Sequence, residues 1–236
     1  MKLKHVAFAI SLSALASSSY AAGFTGFGMD FQVQFKNTGG DSVKTRGYSE
    51  IEYTDTSSLS GEHDIIGAVG MNYGFALAKR WILQVGVEAD LMKSDAHNML
   101  DSVRVGTYSA QEFESLEQKQ HYSIHLQPGY LLHAGTMIYA KLSYHQMKLD
   151  GTNGNRVTDV GVSDVTALPI GASFKGFGVG FGVQTLVARN VYAFAEVNHV
   201  RYGSEVLGVP TDPAAEGEWT AKPRTTSGSI AIGWRF

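Results

Sequence analysis

The sequence predicts an all-β chain: a transmembrane, antiparallel up-and-down β-barrel of about eight strands, with short turns at one end and long loops at the other. Three observations predict it. Apolar residues alternate with glycine, polar or charged residues along eight segments of roughly 10–14 residues. The connections between these segments alternate between short and long. The last segment sets Ile230, Ile232, Trp234 and Phe236 on one face and Ser229, Ala231, Gly233 and Arg235 on the other. That period of two is the side-chain repeat of a strand.

The chain opens on an export address. Met1 to His5 is basic, Val6 to Ala16 is apolar, and small residues stand at Ser19 and Ala21. This order is that of a secretory signal peptide spanning 1–21, cut after about Ala21, with the barrel domain over 22–236. The apolar run is too short to span a bilayer as a helix, and no later run approaches ~20 apolar residues. There is no cysteine, so an exported domain of this kind is held by its own ladder and not by disulfides. With 27 Gly, 5 Pro and 11% aromatic residues, the composition suits packed strands and not disorder.

The strands follow in order. Phe27, Met29, Phe31, Val33 and Phe35 oppose Gly28, Asp30, Gln32 and Gln34. Ile65, Val69, Met71, Tyr73 and Phe75 oppose Ala68, Gly70, Asn72 and Gly74. After a turn at 77–80, Trp81, Leu83, Val85, Val87, Ala89 and Leu91 oppose Gln84, Gly86, Glu88 and Asp90. Tyr122, Ile124, Leu126, Pro128, Tyr130 and Leu132 oppose Ser123, His125, Gln127 and Gly129. Pro128 cannot donate to a ladder, so a bulge is expected there. Past the turn at 133–136, Ile138, Ala140, Leu142 and Tyr144 oppose Tyr139, Lys141, Ser143 and His145. Phe177, Val179, Phe181 and Val183 oppose four glycines from Gly176 to Gly182 and then Gln184. Past 188–190, Val191, Ala193, Ala195 and Val197 oppose Tyr192, Phe194, Glu196 and Asn198. Beyond Val197 the phase is open: either His199 or Val200 faces lipid. The terminal segment closes the set.

The nearly charge-free faces point to lipid and the glycine-and-charge faces to the lumen. A soluble, ligand-holding barrel is the alternative fold; it would reverse the two faces. Aromatic residues beside the short turns form one membrane girdle: Tyr73, Phe75, Trp81, Tyr130 and Trp234, with Phe236. Phe35, Tyr122, Tyr144 and Tyr202 are expected in the other.

At Gly129–Leu132, Ile138–Leu142, Gly176–Gly180 and Ala195–Gly203 the chain resembles the small porin-like outer-membrane surface proteins, which include opacity-type proteins and relatives of the OmpA and OmpX barrels. The resemblance runs from about Phe24 to Phe236. It implies a bacterial outer-membrane barrel with long external loops and short periplasmic turns. Ile230, Ile232, Trp234 and Phe236 look like that class's C-terminal assembly signal, which implies the barrel-assembly machinery as a partner. Glu196-Val-Asn-His199 departs from the aromatic-rich Glu-Tyr-Arg-Tyr often found late in such chains. No peptidoglycan-binding domain follows, so wall anchoring is not implied.

The inward positions include Asp30, Glu88, Asp90, His125, Lys141, His145, Glu196 and Arg235. Eight strands enclose about the space that side chains fill, so these charges must pair or stay hydrated. The expected arrangement is a charge network that plugs the lumen: Lys141 and Arg235 among Asp30, Glu88, Asp90 and Glu196. A narrow cation-preferring pathway is the alternative, favoured by the acid excess and the glycine row. An enzyme is not expected. His121, Ser123 and His125 share one face by alternation alone, and His199-Val-Arg does not match the His-x-Ser-Asn stretch of lipid A deacylase-like barrels. Neither a metal site built from His121, His125 and His145 nor any other cofactor is expected. The glycine row lacks the following helix of a dinucleotide site.

Across the four long connections, at 37–62, 95–118, 150–173 and 204–224, seventeen acids face six bases, a formal charge of −11. That balance hydrates the exposed end and excludes nucleic acid as a partner. Apolar residues there (Ile51, Tyr53, Met99, Leu100, Phe113, Leu116, Val206, Leu207 and Trp219) either pack the loops together or meet a host or lipopolysaccharide surface. The expected role is structural and surface-interacting: envelope integrity, adhesion or antigenic display, with outer-membrane lipids and lipopolysaccharide as neighbours. A small diffusion channel is second, and a lipid- or peptide-processing enzyme third.

Overall fold

The computed structural model describes residues 22–48, 51–105, 108–159, 162–208 and 216–236; residues 1–21, expected as a signal peptide, lie outside them. A short 3-10 turn at Ala22–Phe24 precedes ten strands: β1 (Gly26–Tyr48), β2 (Ile51–Ala78), β3 (Trp81–Asp90), β4 (Ser94–Val105), β5 (Tyr108–His133), β6 (Thr136–Asp159), β7 (Val162–Ala188), β8 (Val191–Tyr202), β9 (Glu205–Gly208) and β10 (Glu216–Arg235). All pairings are antiparallel, and the order β1-β2-β3-β5-β6-β7-β8-β10 closes by pairing β10 with β1. These eight strands form the ring; β4 prolongs the stave of β3, and β9 that of β8.

Closure occurs at the two chain ends. Met29 pairs with Trp234, Phe31 with Ile232 and Val33 with Ile230. The Phe236 amide donates to the Phe27 carbonyl at 2.8 Å. Gly26 has φ +89°, and a Cβ there would stand 2.7 Å from the Phe236 carbonyl oxygen. Only glycine takes this close left-handed approach without strain.

The outward face is apolar. Phe31, Ile65, Ile124, Leu142, Phe177, Phe181 and Ile230 are each more than half exposed, and Phe177 reaches 76%. A continuous apolar belt of this kind is a lipid surface, which reverses the soluble-barrel alternative. Tyr73, Trp81 and Trp234 stand exposed beside the short turns, and Tyr130 meets Trp81 edge-on with ring centroids 5.2 Å apart.

Three expectations are corrected. Three of the long connections, at 37–62, 95–118 and 150–173, are strands and not loops among the described residues. β2, β5 and β7 run for 28, 26 and 27 residues. Tyr48 pairs with Ile51, Val105 with Tyr108 and Asp159 with Val162, so the hairpins stay paired almost to their tips. Continued pairing satisfies each backbone N–H and C=O that a loop would leave to water, and the Thr and Val in these stretches favour it. A 26-residue strand rises roughly 60 Å at ~3.3 Å per residue and ~45° tilt, against an apolar band of ~25 Å.

Pro128 makes no bulge. Leu126 pairs with Leu142 and Gly129 with Tyr139 in one register, and Pro128 itself stands opposite Leu83. The missing N–H interrupts the ladder toward β6 without inserting a residue. The phase beyond Val197 is settled: His199 and Arg201 face out, while Val200 and Tyr202 are buried inside. Tyr202 is therefore no girdle residue.

For three of the loop apolars the structure takes the first of the two alternatives, packing on one another. Leu116, Leu207 and Trp219 are buried in a core with Leu59, Met147, Leu149, Ile170 and Phe174. Beyond the membrane band, β2-β1-β10-β9 forms one sheet and β4-β5-β6-β7 another, and this core fills the space between them. On β7 and β8 the polarity thus inverts at the membrane edge, whereas β1 keeps the polar Ser42 and Lys44 inward. Below it apolar groups face out; above it Phe174 faces in while Lys175 faces out. Val206 stays exposed; the side chains of Ile51, Tyr53, Met99, Leu100 and Phe113 lie outside the described ones.

Candidate functional site

The lumen holds the chain's densest chemistry, in three layers. At the short-turn end Phe24 enters the mouth and packs with Ile82, Leu131, Met137 and Tyr139. At the other end lies the apolar core of the paired sheets. Between them is a polar belt built by the inward rows of β1, β3, β5, β6 and β8.

Lys141 is the centre of the belt. Its Nζ donates to Glu196 Oε1 at 2.7 Å and to Glu88 Oε2 at 3.1 Å. Gln34 also donates to Glu88, at 2.8 Å, and Gln127 to Glu196, at 3.3 Å. Each carboxylate thus accepts more than one hydrogen bond, which a charge buried this deeply requires.

Asp30 is held otherwise. Gln32 Nε2 donates to Oδ1 at 2.8 Å, while the Tyr192 hydroxyl and Asn72 Nδ2 donate to Oδ2 at 3.0 and 3.3 Å. Arg235, expected among the acids, makes no ion pair among the described residues. Its Nη1 donates to Asn72 Oδ1 at 2.8 Å and to the Gly26 carbonyl at 3.0 Å, and its guanidinium lies 5.1 Å from the centre of the Tyr192 ring. Asn72 therefore stands between Arg235 and Asp30 and bonds both. The backbone places Arg235 beside the Gly26 carbonyl at the closure point, too low in the lumen for direct pairing.

Asp90 takes a partner the sequence reading passed over. Lys36 forms an ion pair with Asp90 Oδ2, and Gln118 donates to the same oxygen at 2.7 Å. His121 Nδ1 lies 3.1 Å from that oxygen, His121 Nε2 is 2.8 Å from His145 Nδ1, and His145 Nε2 is 2.8 Å from Ser143 Oγ. The two imidazoles are stacked, 5.0 Å apart. Lys36 was legible in principle: it continues the inward row Asp30, Gln32, Gln34 by one step. Phe24 carried no periodic signal because it precedes the first strand.

The order Ser143, His145, His121, Asp90 has the sequence of groups of a nucleophile, its base and an orienting acid. Ser143 is only 4% exposed, so its hydroxyl is shielded among the described residues. Among the described residues, the cavity bordered by Asp30, Glu88, His125 and Lys141 measures about 10 Å³, about the room of one water molecule. His121 and His145 spend their nitrogens on each other and their neighbours. No cluster of three or more ligating side chains is arranged around a metal position among the described residues.

The remaining sequence-predicted residues lie outside the lumen. Ile230, Ile232, Trp234 and Phe236 form an exposed apolar row on β10, and Phe236 meets Phe27 with ring centroids 6.1 Å apart. Tyr73 and Phe75 meet at a tilt of 48° with ring centroids 4.7 Å apart in the girdle, and Arg80 donates to the Tyr130 hydroxyl at 3.3 Å.

Comparison with known proteins adds a family. A profile described as the outer membrane protein beta-barrel domain matches residues 7–236. No curated protein matches the chain. Among solved structures, the chain is similar to the attachment invasion locus protein Ail of Yersinia pestis, at 10% identity over 90% of this chain and 100% of that one, with a TM-score of 0.40. It is also similar to the outer membrane protease OmpT from Escherichia coli (11% identity, 89% and 97% covered, TM-score 0.44) and to the outer membrane protein OprG from Pseudomonas aeruginosa (9% identity, 90% and 96% covered, TM-score 0.43).

Proposed function

Because the chain belongs to the outer membrane protein β-barrel domain family, we propose that this bacterial outer-membrane barrel is a sealed structural element that works through its outer wall. One observation carries the proposal: apolar clusters lie at both ends of a polar belt, and the cavity bordered by Asp30, Glu88, His125 and Lys141 between them is about 10 Å³. Ions would have to pass the apolar Phe24 layer and the Trp219 layer, where Lys44 Nζ lies 4.7 Å from the centre of the Trp219 ring, at the cost of desolvation. The same closure argues for a protein that is not an enzyme, since Ser143 and the stacked histidines meet no substrate space.

The outer wall offers more. The long hairpins carry an acidic, strand-built surface well beyond the membrane, on a frame made rigid by its own core. Such a surface suits envelope support, adhesion or antigenic display. The exposed row Ile230 to Phe236 suits handling by the barrel-assembly machinery. A weakly cation-selective channel stays the second reading, favoured by the four lumen carboxylates facing three cations, Lys36, Lys141 and Arg235.

Deleting the chain from its host tests the proposal. Entry of a large hydrophobic dye is expected to rise and to fall again on complementation, with uptake of small hydrophilic solutes unchanged. Unchanged dye entry together with slowed solute uptake would contradict the proposal and favour the channel.

A further inference from the structure

On the outward side of β8, β10 and β1, just past the membrane edge, two arginines stand directly opposite one another. Arg201 of β8 pairs with Arg224 of β10, and both side chains are exposed. On its other side Arg201 faces Phe177, the most exposed aromatic of the apolar belt. Like charges placed directly across a ladder repel. No acid forms an ion pair with either arginine among the described residues.

These arginines wall a cleft of about 300 Å³ with Asn37, His199 and Thr226, over a floor of Gly39 and Gly40. The floor is a β-bulge, where the β1–β2 register shifts between Thr38 and Gly40. Gly40 has φ +156°, and a Cβ there would stand 2.4 Å from the Lys222 carbonyl oxygen. The result is a concave spot with glycines and Leu59 at its base and donors around it. His199 Nδ1 lies 2.9 Å from Thr226 Oγ1. The closest outward acid along β1, Asp41, lies beyond the cleft and opposite Lys222.

A second cleft, of about 500 Å³, adjoins the first on the membrane side and shares Asn37 and Thr226 with it. Phe35, Ile65, Val197 and Gly228 line its lipid-facing part. A Cβ at Gly228 would meet nothing within 4 Å, so the missing side chain leaves an open slot in the belt. Asp64, the acid of this second cleft, already accepts the Asp95 amide at 2.6 Å.

We propose that the paired clefts hold one phosphorylated, acylated glycolipid of the outer leaflet, its phosphate between Arg201 and Arg224 and an acyl chain in the slot at Gly228. Guanidinium groups bind phosphate oxygens bidentately, and a bound phosphate removes the cross-strand repulsion. The height of the cleft, level with the last exposed aromatic, is where a lipid phosphate lies. The inference rests on the outer-membrane placement of the long hairpins and would stand even if the lumen conducted.

The test uses the purified full-length barrel in detergent, with lipid retention read by native mass spectrometry. The probes are lipid A carrying both phosphates and the same lipid with both removed. The wild type is expected to retain the phosphorylated form at least tenfold more tightly. R201Q/R224Q should bring the two lipids to parity, while K79Q/R189Q, at the opposite turns, should leave the preference intact. Filling the slot with Gly228→Leu should weaken retention of both lipids. Excess inorganic phosphate, which has no acyl chain, should displace little. Equal retention of the two lipids by the wild type would overturn the proposal, and so would equal losses in R201Q/R224Q and K79Q/R189Q. Heat-dependent gel mobility, checked for each protein, separates loss of the barrel from loss of the cleft.

Discussion

Replacing Lys141 with methionine is expected to destabilise the barrel by about 3–5 kcal/mol, because it strands two buried carboxylates. Glu88 and Glu196 both accept from Lys141 Nζ, and no second cation reaches either among the described residues. The loss is read from the urea or temperature midpoint at which the compact, unboiled gel species converts to the extended one. The triple variant K141M/E88Q/E196Q is expected to recover most of it. Removing a whole buried charge network is far less costly than breaking it, since glutamine keeps the hydrogen bonds with Gln34 and Gln127 without an unpaired charge. A K141M midpoint equal to the wild type would mean that water enters the belt and screens it.

The second large effect is expected at Phe24. Its side chain is wholly buried and closes the short-turn mouth against Ile82, Leu131 and Met137. Phe24→Ala should cost about 3 kcal/mol in the same unfolding assay, the lower end for deleting a buried aromatic, since the mouth can partly collapse. Phe24→Leu should recover more than half. The pair distinguishes packing from a tethering effect of the N-terminal segment: if F24A and F24L unfold together at the wild-type midpoint, Phe24 is not part of the seal.

The membrane-level barrel was legible because one rule holds along each stave. Inside the band, lipid requires apolar groups outward, so Phe27 to Phe35 and Ile230 to Phe236 report their own orientation. Asp30, Glu88, Lys141 and Glu196 were placed inside by the same alternation. Their partners were less legible. That Lys141 takes both glutamates while Arg235 is joined to Asp30 only through Asn72 depends on the stagger between strands distant in sequence. Lys36 was missed because its apolar neighbours end at Phe35, where the run seemed to become a loop.

The loops were misread for one physical cause. Past the band, water replaces lipid and the sign of the alternation inverts while its period persists. Val200 and Tyr202 turn inward, and His199 and Arg201 turn outward, with no break in the strand. A reading that looks for apolar-out strands finds only polar sequence there. The sequence left Leu116, Leu207 and Trp219 open between packing on one another and meeting an outside surface, and the inversion decides for packing, in the outer core. It also places Arg201 on the face where the lipid cleft lies.

A sealed lumen is the central claim, and single-channel recording in planar bilayers tests it most directly. The purified wild-type protein is expected to give no stable conductance steps in salt solution over sustained recording at applied voltage. Steady openings of the wild type that vanish on neutralising Glu88 or Asp90 would contradict it, for they would show ions passing along the very carboxylates that the apolar layers are held to enclose.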